Sequence, residues 1–64
     1  MILINGEKTD MDGKTLWSYL ISSGYDTKRV AVELNGCIVP KSDYEKTVLS
    51  GGDKVEIVSF VGGG

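Results

Sequence analysis

The sequence contains no histidine, a single cysteine and a single proline. Because imidazole is absent, the chain cannot form Ser-His or Cys-His catalytic dyads, or zinc sites that need histidine. Cys37 has no second cysteine to pair with, which excludes a scaffold held by internal disulfides. No apolar run approaches the roughly 20 residues of a membrane helix, and no basic-then-apolar leader opens the chain. We therefore expect a cytoplasmic protein that is not an enzyme.

The composition is that of a small folded domain. Hydrophobic residues make up 41% and charged residues 25% of the 64 positions, which separates the chain from disordered segments. A chain of this length forms one domain at most, and it buries only about 60% of the surface that its unfolded form exposes. The charges are interspersed and the formal net charge is −2, so nucleic acid and anionic membranes are poor partners.

Short runs of β-forming residues, separated by turn signals, predict five strands. Asn5-Gly6 and Asn35-Gly36 are strong signals for two-residue turns, because both residue types tolerate positive φ. Each turn predicts a hairpin; the returning strand of the first spans residues 7–11, and Pro40 stops the second. The last strand is "KVEIVSF". Residues 41–53 contain turn-forming residues but no sustained hydrophobic period. They could form a single helical turn.

Between the hairpins the hydrophobic period becomes helical. Leu16, Tyr19 and Leu20 recur at the spacing of one helix face. Thr15 is the predicted N-cap, because its hydroxyl can accept an early backbone N–H, and Gly24 is the predicted stop. A helix of about two turns is unstable alone, so it must pack on the strands.

The predicted order is strand, strand, helix, strand, strand, strand. This order indicates an α+β fold with two layers, in which the helix covers one face of the sheet. Cys37 is expected to be a half-buried small hydrophobe. The predicted core consists of the inward-facing apolar residues: Leu3 or its neighbours on the first strand, Leu16, Leu20, Val30, Val32, Leu34, Val55 and Ile57.

Four stretches, taken in order, resemble a known family. They are "ILINGE", "TLWSYL", "VAVELNGCIVPKS" and "GDKVEIVSFVGGG", and together they cover essentially the whole chain. The chain resembles the ubiquitin-like β-grasp sulfur carriers, and among them most closely those of thiamine biosynthesis. It departs from the family pattern in the large Trp17, in Cys37 at a variable and often charged position, and in a third glycine at its end. None of these departures alters the terminal glycine that the family requires.

The resemblance implies a β-grasp domain over residues 1–61 and a flexible glycine tail over residues 62–64. An ATP-dependent adenylating enzyme, related to ubiquitin-activating enzymes, would couple the carboxylate of Gly64 to AMP. A cysteine desulfurase or another donor would supply sulfur, and thiazole synthase would consume the resulting thiocarboxylate. The chain itself would be a monomeric co-substrate without a bound cofactor or metal, because the ATP is used by the activating enzyme.

The residue types near the end of the chain suit such a role. Gly62 and Gly63 lack a Cβ, so they adopt almost any φ/ψ and let an enzyme backbone approach closely. Ordering a flexible tail costs conformational entropy, which contacts to the folded body must offset. Val58 and Phe60 share one face of the last strand, and with Val61 they form the predicted docking patch. Alternatively, Phe60 and Val61 end the core face of that strand.

Other functions share the same terminal chemistry. A sulfur carrier for molybdopterin synthesis and a ubiquitin-like modifier of lysines would both use an activated carboxyl terminus. The short length and the stretch "VAVELNGCIVPKS" favour thiamine biosynthesis. A β-grasp interaction module with an idle tail is the alternative of a different class, and it predicts that removal of Gly63 and Gly64 leaves function intact.

Overall fold

The computed structural model describes residues 1–60, which form a five-stranded mixed sheet with one α-helix. Its elements are β1 (Ile2–Ile4), β2 (Glu7–Thr9), α1 (Leu16–Ser22), β3 (Val30–Leu34), β4 (Cys37–Ile38), a 3₁₀ turn (Lys41–Asp43) and β5 (Lys54–Ser59). The sheet order is β2-β1-β5-β3-β4. β1 and β5 run parallel, and the other neighbouring strands run antiparallel. The predicted α+β architecture and the predicted order of its elements are confirmed.

Both predicted Asn-Gly turns close two-residue hairpins. Asn5 and Asn35 have φ of 51° and 52°, and the glycine that follows each of them has φ of 81° and 85°, respectively. Two successive residues with positive φ give a turn whose twist matches that of the flanking strands, which is why asparagine and glycine are favoured there. The returning strand of the first hairpin ends at Thr9, earlier than predicted.

The two ends of α1 follow the predicted capping chemistry. The hydroxyl of Thr15 accepts a hydrogen bond from the backbone N–H of Ser18 at 3.1 Å. At the other end, Gly24 has φ of 80°, and the backbone N–H of Tyr25 returns to the carbonyl of Leu20 at 3.0 Å. This bond across a left-handed glycine is the common way in which a helix stops. Local sequence therefore determines both ends of the helix.

The irregular segment between β4 and β5 fastens the start of α1. The backbone N–H of Leu16 donates to the carbonyl of Thr47 at 2.8 Å. The backbone N–H of Trp17 donates to the carbonyl of Tyr44 at 3.0 Å. Because the first N–H groups of a helix have no acceptor within the helix, these two carbonyls satisfy groups that would otherwise be unpaired.

A single apolar core lies between α1 and the sheet. On β1 the buried residues are Ile2 and Ile4, whereas Leu3 is 37% exposed. The prediction of Leu3 or its neighbours is therefore correct for the neighbours and not for Leu3. Leu34 is only half-buried and packs against the core from its margin. The other predicted core residues are buried: Leu16, Leu20, Val30, Val32, Val55 and Ile57.

The sequence-based core omitted three buried residues: Val39, Tyr44 and Leu49. Tyr44 is the largest of them and is 1% exposed. Its hydroxyl donates to the carbonyl of Val30 at 3.3 Å, so the phenol is buried with its polar group satisfied. These residues follow no strand or helix period, which is why pattern analysis did not find them.

The prediction for Cys37 is wrong, because the structure exposes this side chain. Cys37 lies opposite Leu34, directly after the second Asn-Gly turn, on an edge strand of only two residues. At this corner of the sheet the neighbouring Leu34 is itself only half-buried. The thiol is therefore a surface group rather than part of the core.

The side chain of Asn5 extends the pairing between β1 and β5. Its Oδ1 accepts the backbone N–H of Ile57 at 2.7 Å, and its Nδ2 donates to the carbonyl of Ile57 at 3.2 Å. The backbone N–H of Asn5 donates to the carbonyl of Val55 at 2.9 Å. The side chain of Asn5 thus makes the two hydrogen bonds to β5 that a further residue of β1 would make. The backbone of Asn5 meanwhile leaves the strand at positive φ.

Replacing Asn5 with glycine keeps the positive φ but removes both side-chain bonds to Ile57. We expect the free energy of unfolding, measured by urea titration, to fall by about 1–2 kcal/mol. The exchange of the Ile57 amide hydrogen should accelerate as well. Asn5→Asp retains the acceptor and loses only the donor, so its stability should lie between those of the glycine variant and the wild type. Equal stability of all three proteins would contradict this role.

Burial raises the pKa of the Tyr44 phenol above its usual value of 10.0. The folded state therefore favours the neutral phenol, and this stabilisation is present below about pH 10 and lost as the pH rises through the folded-state pKa. We expect Tyr44→Phe to lose about 1 kcal/mol near neutral pH, because the hydrogen bond to Val30 is absent. Its stability should then decline less steeply than that of the wild type between about pH 10 and 11. Urea unfolding at each pH measures both effects, and equal slopes for the variant and the wild type would contradict this account.

Candidate functional site: the open sheet face

The chain continues from the middle of the sheet into the predicted tail. β5 lies between β1 and β3. Beyond its last residue, the backbone N–H of Phe60 still donates to the carbonyl of Arg29 at 2.7 Å. The point from which residues 61–64 continue is therefore fixed to the sheet. The predicted carrier and channel residues, together with one member of the docking patch, lie outside the described residues: Val61, Gly62, Gly63 and Gly64.

β5 presents its two faces as predicted. Val55 and Ile57 are buried beneath α1, whereas Val58 and Phe60 are 57% and 60% exposed. Phe60 is therefore not part of the core, and the alternative prediction that it ends the core face of the last strand is wrong. We call the sheet surface opposite α1 the open face. Its members on the five strands are Leu3, Lys8, Ala31, Glu33, Ile38, Lys54, Glu56 and Val58.

Residues of β3 and β4 extend the apolar surface beside the tail. Ala31 lies directly opposite Val58, and Ile38 on β4 lies directly opposite Glu33. Ile38 is 74% exposed, which is the highest exposure among the large apolar side chains of residues 1–60. The apolar patch around the predicted docking residues Val58 and Phe60 therefore also includes Ala31 and Ile38.

A hollow of about 250 Å³ lies at the margin of this patch, next to the end of β4. Its lining is almost entirely apolar, and it is large enough to accept a side chain from a partner protein. Lys41 borders it and is held in place, because its Nζ donates to the carbonyl of Val30 at 2.7 Å and to that of Thr27 at 3.3 Å. The residues around the hollow are Val30, Ala31, Val32, Ile38, Val39, Pro40, Lys41, Tyr44 and Phe60.

Val58 and Phe60 were predicted from the sequence, whereas Ala31 and Ile38 were not. The cross-strand register places Ala31 and Ile38 in this patch, and the register is known only once the strands have been paired. Ile38 stands between a tight turn and Pro40, in a run too short to show which of its residues face outward. An exposed isoleucine on a two-residue edge strand is recognisable as a surface feature only in the assembled sheet.

Two glutamates also lie on the open face. Glu33 of β3 and Glu56 of β5 are directly opposite each other in the register. Lys54 lies on the same face, with its Nζ 4.0 Å from Oε1 of Glu56. The open face is therefore apolar near the end of β5 and carries charges of both signs farther along the same strand.

The exposed apolar side chains of the open face suit contact with another protein. Residues 1–60 contain no group of three or more histidine, cysteine, aspartate or glutamate side chains placed to hold a metal ion. In the same part of the chain, no helix is long and apolar enough to cross a membrane. The described surface has an exposed apolar patch next to Phe60, where the backbone is hydrogen-bonded to Arg29 and the chain leaves the sheet.

Comparison with known proteins gives a consistent result. The sequence profile of the ThiS family matches residues 2–64. The curated sulfur carrier protein ThiS of Bacillus subtilis is 39% identical over 66 residues, with both chains covered completely. A curated thiazole synthase of Paramagnetospirillum magneticum is 45% identical over 64 residues, which are 98% of this chain. This chain spans only 20% of the length of that thiazole synthase.

The solved structures agree with the sequence relatives. The crystal structure of the thiamine biosynthesis protein ThiS from Geobacter metallireducens matches with a TM-score of 0.77 at 28% identity. The match covers 98% of this chain and 97% of that chain. The predicted ubiquitin-like β-grasp fold is confirmed by this likeness.

The docking patch should be dispensable for stability. We expect Val58→Thr and Phe60→Ala each to change the free energy of unfolding by less than about 1 kcal/mol, because both side chains are exposed. Ile57→Ala, on the buried face of the same strand, should cost about 2–5 kcal/mol. Urea titration of the three variants measures the contrast. A loss at Phe60 as large as that at Ile57 would place Phe60 in the core.

Proposed function

This chain belongs to the ThiS family, the sulfur carriers of thiamine biosynthesis, and we propose that Gly64 carries the sulfur as a carboxy-terminal thiocarboxylate. A carboxylate is a poor electrophile, so an ATP-dependent enzyme first couples it to AMP and releases pyrophosphate. A sulfur nucleophile then attacks the mixed anhydride and AMP leaves. Hydrosulfide gives –COSH directly, whereas a donor persulfide gives an acyl disulfide, whose S–S bond a thiol reductant must cleave to release –COSH. Thiazole synthase takes the sulfur and returns the carboxylate. The chain is thus a co-substrate that is consumed and regenerated.

The observation that carries this proposal is the exposed apolar patch at the root of the glycine tail. Phe60 is tied to Arg29 through its backbone, while its side chain remains exposed. An enzyme that binds the patch therefore receives the chain at a defined point, and Gly62 and Gly63 allow the terminus to enter a narrow channel. Contacts with Val58, Phe60 and Val61 offset the entropy that a glycine-rich segment loses when a channel fixes its conformation.

The relatives support thiazole synthase as the acceptor of the sulfur. The thiazole synthase of Paramagnetospirillum magneticum contains a stretch that aligns with 98% of this chain. A carrier-like sequence and a thiazole synthase are therefore joined in one polypeptide in that organism. We propose that this chain acts in the cytoplasm as a monomer. It meets thiazole synthase after activation by an enzyme related to ubiquitin-activating enzymes and transfer of sulfur from a cysteine desulfurase or another donor.

Intact mass spectrometry tests the carrier role directly. We expect incubation with the cognate adenylating enzyme, ATP and a sulfur source to raise the mass by the difference between one sulfur and one oxygen atom. Addition of thiazole synthase and its substrates should reverse this gain. Reversal by a molybdopterin synthase partner instead, or conjugation to lysines, would contradict the assignment to thiamine biosynthesis.

Changes at the tail should abolish the mass gain without affecting folding. Deletion of Gly63 and Gly64 removes the reactive end, and Gly64→Val places a branched side chain in the channel. We expect neither variant to form the thiocarboxylate, and both to unfold at the wild-type urea concentration. A tail-deleted protein that still supports thiazole formation at the wild-type rate would show that the tail is idle.

A further inference from the structure

The side chain of Lys41 takes the place of a missing strand residue at the edge of β3. The backbone bonds from β4 to β3 end after Val39, whose N–H donates to the carbonyl of Val32 at 2.9 Å. If the same register continued, the next donor would be the backbone N–H of Lys41, and its acceptor would be the carbonyl of Val30. The backbone of Lys41 enters the 3₁₀ turn instead. Its Nζ nevertheless donates to this carbonyl at 2.7 Å.

The 3₁₀ turn holds Lys41 in this place. The backbone N–H of Asp43 returns to the carbonyl of Pro40 at 2.9 Å. The backbone N–H of Tyr44 returns to the carbonyl of Lys41 at 3.2 Å. The buried ring of Tyr44 lies beneath the ammonium group, with 5.8 Å between Nζ and the ring centroid. The ammonium group is therefore attracted both by carbonyl oxygens and by the face of an aromatic ring.

The same Nζ bonds the turn that precedes β3. It donates to the carbonyl of Thr27 at 3.3 Å. In the described part of the chain, two hydrogen bonds join residues 26–29 to the rest of the domain. One is this bond from Lys41 to Thr27, and the other is the bond from the backbone N–H of Phe60 to the carbonyl of Arg29. Lys41 therefore holds the short segment that receives the end of β5.

We propose that Lys41 is a positioning residue for the carrier reaction: it holds the turn that fixes Phe60, and so sets the point from which the chain end enters an active site. This inference rests on the carrier function proposed above. The carboxyl group of Gly64 must come within about 3–3.5 Å of the atom with which it reacts. Only four residues separate it from Phe60, so a displaced or loosened Phe60 changes where the carboxyl group lies. Fewer of the bound carriers are then in a reactive arrangement.

The role requires hydrogen-bond donors at the end of a long side chain. Backbone carbonyls only accept, and the ammonium group of Lys41 supplies up to three N–H donors, of which two are used on Val30 and Thr27. Methionine at this position keeps an unbranched apolar stem beside the hollow but donates nothing. Arginine keeps both the length and the N–H donors. The two substitutions therefore separate the hydrogen bonds from the packing of the stem.

Amide hydrogen exchange of the isolated carrier tests whether Lys41 holds the end of β5. We expect Lys41→Met to accelerate exchange of the Phe60 amide at least about fivefold, because the turn that carries its acceptor is released on one side. The amide of Asn5, which donates to Val55 near the start of β5, should exchange at the wild-type rate. Urea unfolding checks that the variant is folded under the conditions of the assay. An unchanged Phe60 amide would overturn the inference.

Single-turnover kinetics tests the effect on the reaction. With excess adenylating enzyme and ATP, we expect Lys41→Met to release pyrophosphate about tenfold more slowly than the wild type. Its affinity for the enzyme, measured by calorimetry without ATP, should stay within about twofold, because Val58 and Ile38 remain in the sheet. Lys41→Arg should restore the rate to within about threefold of the wild type. A loss of affinity that accounts for the whole loss of rate would make Lys41 a contact residue and overturn the inference.

The matched control is Lys46→Met, which removes the same charge from the same irregular segment. The side chain of Lys46 is 79% exposed and its Nζ lies 4.0 Å from the carboxylate of Asp43, so it holds neither β3 nor the turn before it. An ion pair this open to solvent contributes little. We expect Lys46→Met to match the wild type in exchange at Phe60 and in the rate of pyrophosphate release. Equal losses in Lys46→Met and Lys41→Met would overturn the inference, because net charge alone would explain them.

The outcomes also separate this inference from the carrier function. If the wild type becomes a thiocarboxylate and Lys41→Met reacts at the wild-type rate, the positioning role is wrong and the carrier function stands. If the wild type is never converted by an enzyme that is active on another carrier, the carrier function is wrong, and the positioning role falls with it.

Discussion

The insertion of β5 between β1 and β3 is the interaction on which the rest of the structure depends. Neither hairpin contacts the other through its own strands; the last strand joins them, parallel to β1 and antiparallel to β3. Side chains of both turn asparagines reinforce it. Asn5 bonds both backbone groups of Ile57, and Asn35 accepts the backbone N–H of Lys54 at 2.9 Å. The turns that close the hairpins therefore also fix the register of the central strand.

This arrangement gives a very small domain one face that forms the core and one face with exposed apolar side chains. The face toward α1 holds the apolar core, and the irregular segment after β4 completes that layer by pairing the first N–H groups of the helix. The opposite face contributes little to the core and is free to present Val58, Phe60 and Ile38. Because side chains along a strand alternate between faces, one strand serves both purposes and leads into the tail.

The sequence predicted those parts of the fold that depend on local chemistry. Asn-Gly dipeptides, the Thr15 cap and the alternation of Val55 and Ile57 each act within a few residues, and the structure has them as expected. Tyr44 was missed because its burial is decided by contacts with β3 and α1 rather than by a period of its own. The family resemblance was found from four stretches, but the pairing of Glu33 with Glu56 emerged only from the assembled register.

The central position of β5 also orders events during synthesis. β1 is made first, yet its parallel partner is almost the whole chain away, so a growing polypeptide can close its helix and hairpins but cannot assemble the sheet. Such long-range pairing is entropically costly and slow compared with local contacts. A chain interrupted before β5 leaves the apolar sides of β1 and β3 without their common neighbour and is open to proteases. Only a chain that includes β5, the strand that continues toward residues 61–64, can therefore complete the sheet.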